Sequence, residues 1–270
     1  MSSVPGAQSR PVLTDLFDLT GRSALIPGAS GAFGRAAALV LAGAGAHITL
    51  AAANSDALTE LAHEIESSGG QAEIIVRRPE SPDDAEAMVQ TAVAATGRLD
   101  IVICASGVNI VAPTTKMEDA DWRRVMDANV HGSWLVCQAA GRQMLHDQEG
   151  GKIVLVSSTR GKLGHPAGYS AYCPSKAAVD ALTKTLACEW GAHRINVNAI
   201  APTVFRSDLT AWMYEDGPGK TVREAMLSRI PIGRLGEPED FQGAVVFLSS
   251  RASDFVTGQI LYVDGGYTAG

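Results

Sequence analysis

The feature that most constrains the fold is an alternation of seven short apolar runs with helical patterns. The apolar runs lie at 23–27, 47–51, 72–76, 99–104, 152–157, 194–200 and 259–263. The helical patterns lie at 35–42, 57–67, 83–96, 119–148, 172–191 and 238–249. Continuously apolar strands separated by helices favour a parallel sheet with helices on both faces. We therefore predict an α/β fold with a doubly wound, mostly parallel seven-stranded sheet.

The organisation of the chain points to one domain. No linker-like segment interrupts the alternation, and a length of 270 residues suits one large α/β domain. Residues 1–14 are rich in Ser, Pro, Gly and Gln and lack the cationic-then-apolar order of a secretory signal. We therefore expect a mobile tail at 1–14 ahead of a domain at 15–270.

Charge and cysteine usage exclude several classes of function. The net charge is −7, and no basic stripe is present to neutralise nucleic-acid phosphates or to bind an anionic membrane. No apolar run is long enough to span a membrane. The four cysteines form no CxxC pair and have no zinc-ligand spacing with histidine. We expect a cytoplasmic protein that binds neither nucleic acid, nor membrane, nor metal.

A glycine-rich turn, residues 28–34 (Gly-Ala-Ser-Gly-Ala-Phe-Gly), links the first strand to the first helix. Small residues let the backbone approach a pyrophosphate, and the helix N-terminus adds unpaired N–H groups. Glycine also serves any tight strand-to-helix turn. The position after the first buried strand favours binding of a dinucleotide.

Tyr172 and Lys176 are four residues apart in a helical pattern, so their side chains share one face. A phenol is a poor acid or base at neutral pH, but a neighbouring ammonium favours the phenolate and lowers the pKa of the phenol. Ser157 and Ser158 end the fifth strand just upstream. Their hydroxyls are suited to hydrogen-bonding a substrate oxygen. The alternative is a half-buried tyrosine beside a solvated lysine.

The order of these features resembles the short-chain dehydrogenase/reductase family. The features in chain order are the glycine turn, Asn129, Ser158, the Tyr172/Lys176 pair, Asn-Ala-Ile-Ala-Pro at 198–202 and Tyr-Val-Asp-Gly-Gly at 262–266. The resemblance extends over about 17–266 and is similar in detail to a bacterial carbonyl-reductase and gluconate-dehydrogenase-like branch. It implies a Rossmann-type fold and an oxidoreductase. The hydride would pass between NAD(P)(H) and a carbonyl or secondary alcohol.

The resemblance also implies roles for four catalytic residues. Tyr172 would give or take the substrate proton, and Lys176 would lower the pKa of Tyr172 and hold the nicotinamide ribose. Ser158 would bond the substrate oxygen, and Asn129 would support a water leading to Lys176. The Ser158-to-Tyr172 spacing is 14, one more than in many relatives, so Thr159 is the alternative to Ser158. The distance to the following glycine favours Ser158.

The cofactor side of the sequence departs from the family pattern. Pro27 replaces a threonine, Ala32 replaces a glycine, Arg78 replaces an aspartate, and Cys-Ala-Ser-Gly at 104–107 replaces Asn-Asn-Ala-Gly. The positions that the resemblance assigns to the cofactor are Gly28, Ser30, Ala32, Phe33, Gly34, Ala53, Asn54, Arg78, Ser106, Gly107, Tyr172, Lys176, Pro202, Phe205 and Ser207. Backbone groups near Phe205 and the hydroxyl of Ser207 would hold the carboxamide.

The choice between NAD and NADP depends on the residues after the second strand. Residues 51–55 offer neither the carboxylate that binds a ribose 2′-hydroxyl nor an arginine for a 2′-phosphate. Without a carboxylate a 2′-phosphate is not repelled, and Asn54, Ser55 or Arg78 is able to bond it. We expect NADP in preference to NAD. The alternative is that Arg77 and Arg78 are solvated charges.

The remaining expectations concern the substrate side and assembly. Residues 208–229, with Trp212 and Tyr214, are expected to form a substrate lid, or else a surface excursion. His165 contacts substrate or lies on a loop. By family analogy we expect a homotetramer and a small-molecule substrate whose identity the sequence does not reveal. The alternatives are a regulatory or scaffold protein that binds cofactor poorly, and an epimerase or dehydratase, for which no extra carboxylate stands out.

Overall fold

The computed structural model describes residues 13–207, 210–215 and 217–270. Their strands form one seven-stranded sheet in the order β3-β2-β1-β4-β5-β6-β7, with every neighbouring pair parallel, which confirms the predicted sheet. The strands are β1 (Ser23–Pro27), β2 (His47–Ala52), β3 (Gln71–Val76), β4 (Ile101–Cys104), β5 (Gly151–Val156), β6 (Ile195–Pro202) and β7 (Ile260–Val263).

Helices cover both faces of the sheet, as predicted. On one face Leu41, Ile65 and Phe241 pack on the sheet from α2, α3 and α9. On the other face Met88 and Val179 lie in a second core with residues of α4, α6 and α7. The helices are α1 (Leu13–Phe17), α2 (Ala32–Gly43), α3 (Ser55–Ser67), α4 (Pro82–Thr96), α5 (Asp119–Met126), α6 (Gly132–Asp147), α7 (Tyr172–Trp190), α8 (Pro218–Leu227) and α9 (Pro238–Ser249).

The helix predicted over 119–148 is confirmed in extent, since helical residues run without interruption from Asp119 to Asp147, but one π-helical turn breaks its regularity. The chain forms α5, then a π-helical turn at Asp127–His131, and then α6. A π turn inserts one residue into the helical ladder and is common at functional sites. Periodicity does not reveal it, because the apolar pattern continues on both sides. A smaller difference is that β4 begins at Ile101 and not at residue 99.

Two predicted segments lie partly outside the described residues. Residues 1–12 of the expected tail are not described, and α1 begins at residue 13. In the expected lid, residues 208, 209 and 216 are not described; the remainder forms a 3₁₀ turn (Ala211–Tyr214) and α8. Met213 and Met226 of this segment pack with Tyr267 and Leu163 in a small third core. The segment therefore lies against the loop that follows β5.

The strand order places the candidate site. The sheet runs outward in both directions from β1 and β4, and ligands of such sheets bind at the carboxyl ends of the strands beside this switch point. The glycine turn follows β1, Ser106 follows β4, and Ser158 follows β5. No helix among the described residues is long and apolar enough to cross a membrane.

Candidate active site

Tyr172 begins α7 as a half-buried residue, and its phenol hydrogen-bonds the side chain of Ser158. Burial raises the pKa of Tyr172 to about 12, and the Ser158 hydrogen bond opposes this only in part. The spacing to Lys176 predicts a lowered pKa for Tyr172. The pKa is raised instead, because desolvation outweighs the effect of the neighbouring polar groups. At neutral pH Tyr172 is therefore a protonated acid in contact with a hydroxyl.

Lys176 lies one helical turn after Tyr172, and its ammonium is 5.7 Å from the centroid of the Tyr172 ring. The two side chains share one face of α7, as their spacing predicted. The ammonium is buried and donates a 2.8 Å hydrogen bond to the carbonyl of Val156. Burial lowers the pKa of Lys176 to about 8, against the opposing charge of Asp180. The alternative of a solvated lysine is thereby excluded.

Asn129 occupies the π turn and is almost fully buried. Its Oδ1 accepts from the Val108 N–H at 2.7 Å, and its Nδ2 donates to the Val108 carbonyl at 2.9 Å. The same Nδ2 donates to the Ser175 hydroxyl at 2.9 Å, and Ser175 donates to the Tyr172 carbonyl at 2.7 Å. Asn129 therefore ties the loop after β4 to the start of α7.

Gly107 lies in the loop after β4, close to the catalytic residues. A Cβ added at this glycine would lie 3.0 Å from the Asn129 Oδ1 and 3.6 Å from the Lys176 Nζ. The structure thus brings together Asn129, Ser158, Tyr172 and Lys176 with the loop after β4. Sequence analysis had placed these residues in one site only by resemblance.

The turn after β1 forms a cradle that excludes side chains. Gly28 has a φ of +85°, and a Cβ there would lie 2.4 Å from the Ser106 backbone nitrogen. A Cβ at Gly34 would lie 2.2 Å from the Gly28 carbonyl oxygen. Ser30 and Gly31 are exposed at the mouth of the cradle, and α2 begins there without a side-chain cap. Its first N–H groups have no partner within the helix.

One observation indicates that a dinucleotide fits this cradle. The Ser106 hydroxyl is buried and has no hydrogen-bond partner among the described residues, and the Ser106 backbone adjoins Gly28. Ala32 is half-buried at the start of α2. A pyrophosphate would accept hydrogen bonds from the free helix N–H groups, and a ribose hydroxyl would pair Ser106.

Four other predicted cofactor positions have internal contacts or are buried. The Phe33 ring packs 5.2 Å from Phe205 and 4.8 Å from Phe241, so only its backbone is available to a ligand. The Phe205 carbonyl accepts from the Thr210 hydroxyl at 2.6 Å. The Ser207 hydroxyl lies 3.1 Å from that Thr210 hydroxyl. Pro202 ends β6 as a buried residue.

The predicted cofactor positions Ala53, Asn54 and Arg78 lie just beyond the carboxyl ends of β2 and β3. Ala52 pairs with Val76, so Asn54 and Arg78 each stand two residues beyond one register pair. Ala53, Asn54 and Arg78 are exposed. The Asn54 Oδ1 accepts from the Ala57 N–H at 3.1 Å and caps α3, which leaves the amide nitrogen for a ligand.

Sequence reasoning missed Asp180 and Tyr169, which contact residues of the site. The Ser157 hydroxyl donates to the Asp180 carboxylate at 2.5 Å, and burial raises the pKa of Asp180. The Tyr169 ring lies 5.9 Å from the Tyr172 ring and 4.3 Å from the ring of His165, so His165 packs against a neighbour of the catalytic tyrosine. These contacts arise from tertiary packing, and no spacing in the sequence indicates them.

Comparisons with known proteins identify relatives of the whole chain. The family described as enoyl-(acyl carrier protein) reductase matches residues 28–268. An uncharacterized oxidoreductase of Mycobacterium tuberculosis is 57% identical over 255 residues, covering 94% of this chain and 93% of that protein. A short-chain type dehydrogenase/reductase from Mycobacterium marinum superposes with a TM-score of 0.89 at 38% identity, covering 95% of this chain and 99% of that one.

A third relative is a gluconate 5-dehydrogenase from Burkholderia cenocepacia, crystallised in complex with NADP and tartrate. It superposes with a TM-score of 0.89 at 33% identity, covering 95% of this chain and 99% of that one. The family model covers most of the chain, and these three relatives are 33–57% identical to it over at least 94% of its length. The chain belongs to the short-chain dehydrogenase/reductase family.

Proposed function

We propose that this protein is an NADPH-dependent oxidoreductase that reduces a carbonyl to a secondary alcohol, with Tyr172 as the acid. The observation that supports this most directly is the half-buried, protonated Tyr172 phenol, hydrogen-bonded to Ser158, with the Lys176 ammonium 5.7 Å from its ring centroid. A protonated donor at neutral pH suits reduction, because the carbonyl oxygen needs a proton as it gains negative charge. The reverse oxidation would need the phenolate.

The chain's own residues divide the work as follows. Ser158 and Tyr172 both donate toward the carbonyl oxygen, which aligns the substrate. As the C=O double bond becomes a single bond, the Tyr172 proton passes to that oxygen. The Lys176 ammonium stabilises the phenolate left behind, and Asn129 holds the start of α7 against the loop after β4 through Ser175 and Val108. The bound NADPH supplies the hydride to the carbonyl carbon.

The preference for NADP is supported by the edge of β2 and β3. Residues 51–55 contain no carboxylate to repel a 2′-phosphate, and the side chain of Asn54 caps α3 through its oxygen, which leaves its amide nitrogen for a ligand. Arg78, on the adjacent strand edge, is exposed. The Burkholderia cenocepacia relative was crystallised with NADP. In this proposal Gly28, Ser30 and the other predicted cofactor positions keep the roles that the family resemblance gave them.

We also propose that the protein is a cytoplasmic homotetramer with residues 208–229 as its lid. Trp122 on α5 and Trp134 on α6 are 39% and 40% exposed, and exposed tryptophans are enriched at interfaces. The lid proposal is supported by the packing of Met213 and Met226 against Leu163, in the loop between Ser158 and Tyr172. Light scattering after gel filtration measures the assembly directly.

A two-part experiment tests the function. Titration with NADPH and with NADH should raise the melting temperature, more strongly for NADPH, because a ligand of the native state shifts the unfolding equilibrium. A panel of ketones and oxo acids is then assayed by NADPH absorbance for the protein and for Tyr172→Phe. Turnover in Tyr172→Phe equal to that of the unaltered protein would remove the assigned acid. No shift with either cofactor would favour a scaffold protein.

A further inference from the structure

Arg160 is a buried arginine with no acidic partner in the part of the chain that the structure describes. Its side chain is 9% exposed and donates to the Gly164 carbonyl at 3.2 Å and to the Tyr267 hydroxyl at 3.1 Å. Both acceptors are uncharged. Among the ion pairs of the described residues, none includes Arg160. A buried guanidinium without a counter-charge is costly, so a negative charge supplied from outside would be strongly bound.

A second cation lies against the same aromatic ring. The guanidinium carbons of Arg160 and Arg229 are 5.5 Å and 4.4 Å from the centre of the Tyr267 ring. Arg229 is exposed, and it too is absent from the ion pairs of the described residues. Tyr267 packs with Met226 of the lid segment. The two cations therefore lie between the loop after β5 and the proposed lid, in a chain whose net charge is −7.

Arg160 connects this pair of cations to the loop that carries Ser158. Arg160 is two residues after Ser158, and its backbone N–H donates to the Ser158 hydroxyl at 3.1 Å. Burial raises the pKa of Tyr172, and the Ser158 hydrogen bond and the Arg160 charge both act to lower it. Burial lowers the pKa of His165, and the charges of Arg160 and Arg229 lower it further. The pKa of His165 therefore lies below its ordinary value, so the positive charge of this region comes from the two arginines.

The geometry points to an anion-binding subsite formed by Arg160 and Arg229 beside Tyr172, which selects substrates that carry a carboxylate or phosphate near the reacting carbonyl. Arg160 would bind the anionic group in its buried fork, and Arg229 would attract it at the rim. A planar guanidinium matches both kinds of anion. This inference rests on the proposed function, because it names the class of substrate for the reduction at Tyr172.

Matched substrate pairs test the subsite. One pair is a 2-oxo acid and its methyl ester; the other is a ketose phosphate and the free ketose. Rates are measured by NADPH absorbance for the unaltered protein, Arg160→Gln, Arg229→Gln and the control Arg251→Gln. Arg251 is an exposed arginine in the turn after α9. Arg160→Gln should lower the kcat/KM ratio of anionic to neutral substrate about 30-fold or more, mainly through KM.

The exposed Arg229→Gln should lower that ratio less, by about 5-fold at most, and the loss should shrink at high salt. Arg251→Gln should leave it unchanged. Preference for only the carboxylate or only the phosphate pair identifies which anion is bound. Equal rates for both members of both pairs, or an equal loss for both members in Arg160→Gln, would overturn the subsite while the reductase stands. Should Arg160→Gln fail to fold, Arg229→Gln decides, and a loss equal for charged and neutral members would overturn the subsite.

A binding readout separates failure of the subsite from failure of the proposed function. Malonate, an unreactive dicarboxylate, and inorganic phosphate are titrated into the protein with NADPH present, and the melting temperature is followed. At least one should raise it in the unaltered protein and in Arg251→Gln, and do so less in Arg160→Gln and Arg229→Gln. If no carbonyl compound is turned over but the melting temperatures show this pattern, the proposed reductase function is refuted and the anion site stands. No shift with either probe would overturn the site.

Discussion

Lys176→Met should stabilise the protein at neutral pH. Burial lowers the pKa of Lys176 to about 8 from an ordinary value of 10.5. At pH 7 both the folded and unfolded states hold the proton, so the cost of burying the charge is fully present. Between about 8 and 10.5 the folded state loses its proton first, so the free energy of unfolding rises with pH. Above both values the cost is gone.

The size of this effect follows from the shift. One pKa unit corresponds to about 1.4 kcal/mol, so burial of the Lys176 charge costs about 3 kcal/mol at pH 7. Methionine has a similar length and no charge, but it leaves the Val156 carbonyl without its 2.8 Å hydrogen bond, which costs about 1 kcal/mol. We therefore expect a net gain of about 2 kcal/mol at pH 7 that vanishes or turns into a small loss near pH 10.5.

Urea unfolding followed by tryptophan fluorescence, at several pH values and without cofactor, measures this difference. Tyr172, whose pKa is raised to about 12, lowers stability above pH 10, but it does so in both proteins and cancels in the comparison. Lys184→Met is the matched control, because Lys184 is an exposed lysine on the same helix. Its effect should not vary with pH. A Lys176→Met difference that is equally flat would refute the desolvation argument.

Three further predictions concern the site. Tyr172→Phe should abolish nearly all turnover and retain NADPH affinity in a binding titration; intact turnover would contradict the assignment. Gly28→Ala should cost about 3 kcal/mol and weaken NADPH binding, because the added Cβ meets Ser106 and the φ is positive. Gly97→Ala, with a similar φ of +80° and open space, should cost only about 1 kcal/mol; equal costs would exclude the steric clash. Because the pKa of Tyr172 is about 12, the reduction rate should stay level around neutral pH and alcohol oxidation should rise with pH, as rate profiles in both directions would show; oxidation that falls with pH would contradict this.

The sequence predicted those parts of the protein that depend on local pattern. Apolar runs and helical periodicity were sufficient for the seven-stranded parallel sheet, and a spacing of four placed Tyr172 and Lys176 on one face. The π turn around Asn129 was not predictable, because it changes the hydrogen-bond register without changing the apolar pattern. The predicted direction of the Tyr172 pKa shift was also wrong, because burial raises this pKa. Burial depends on the whole fold, and spacing gives only the neighbour one turn away.

Arg160 shows the same limit from the side of charge. The chain has more acidic than basic residues, so the sequence offers many carboxylates as partners for each arginine. It does not show which of them are close to Arg160. Only the fold shows that Arg160 is buried against Tyr267 and Gly164, with no acidic partner among the described residues. Burial acts on Tyr172 and Lys176 by favouring their uncharged forms, and proton transfer from Tyr172 creates a negative charge in that environment. The nearby Lys176 and Arg160 charges lower the cost of this step. An anionic substrate bound at Arg160 would neutralise one of them, so Lys176 would remain the main charge that stabilises the phenolate.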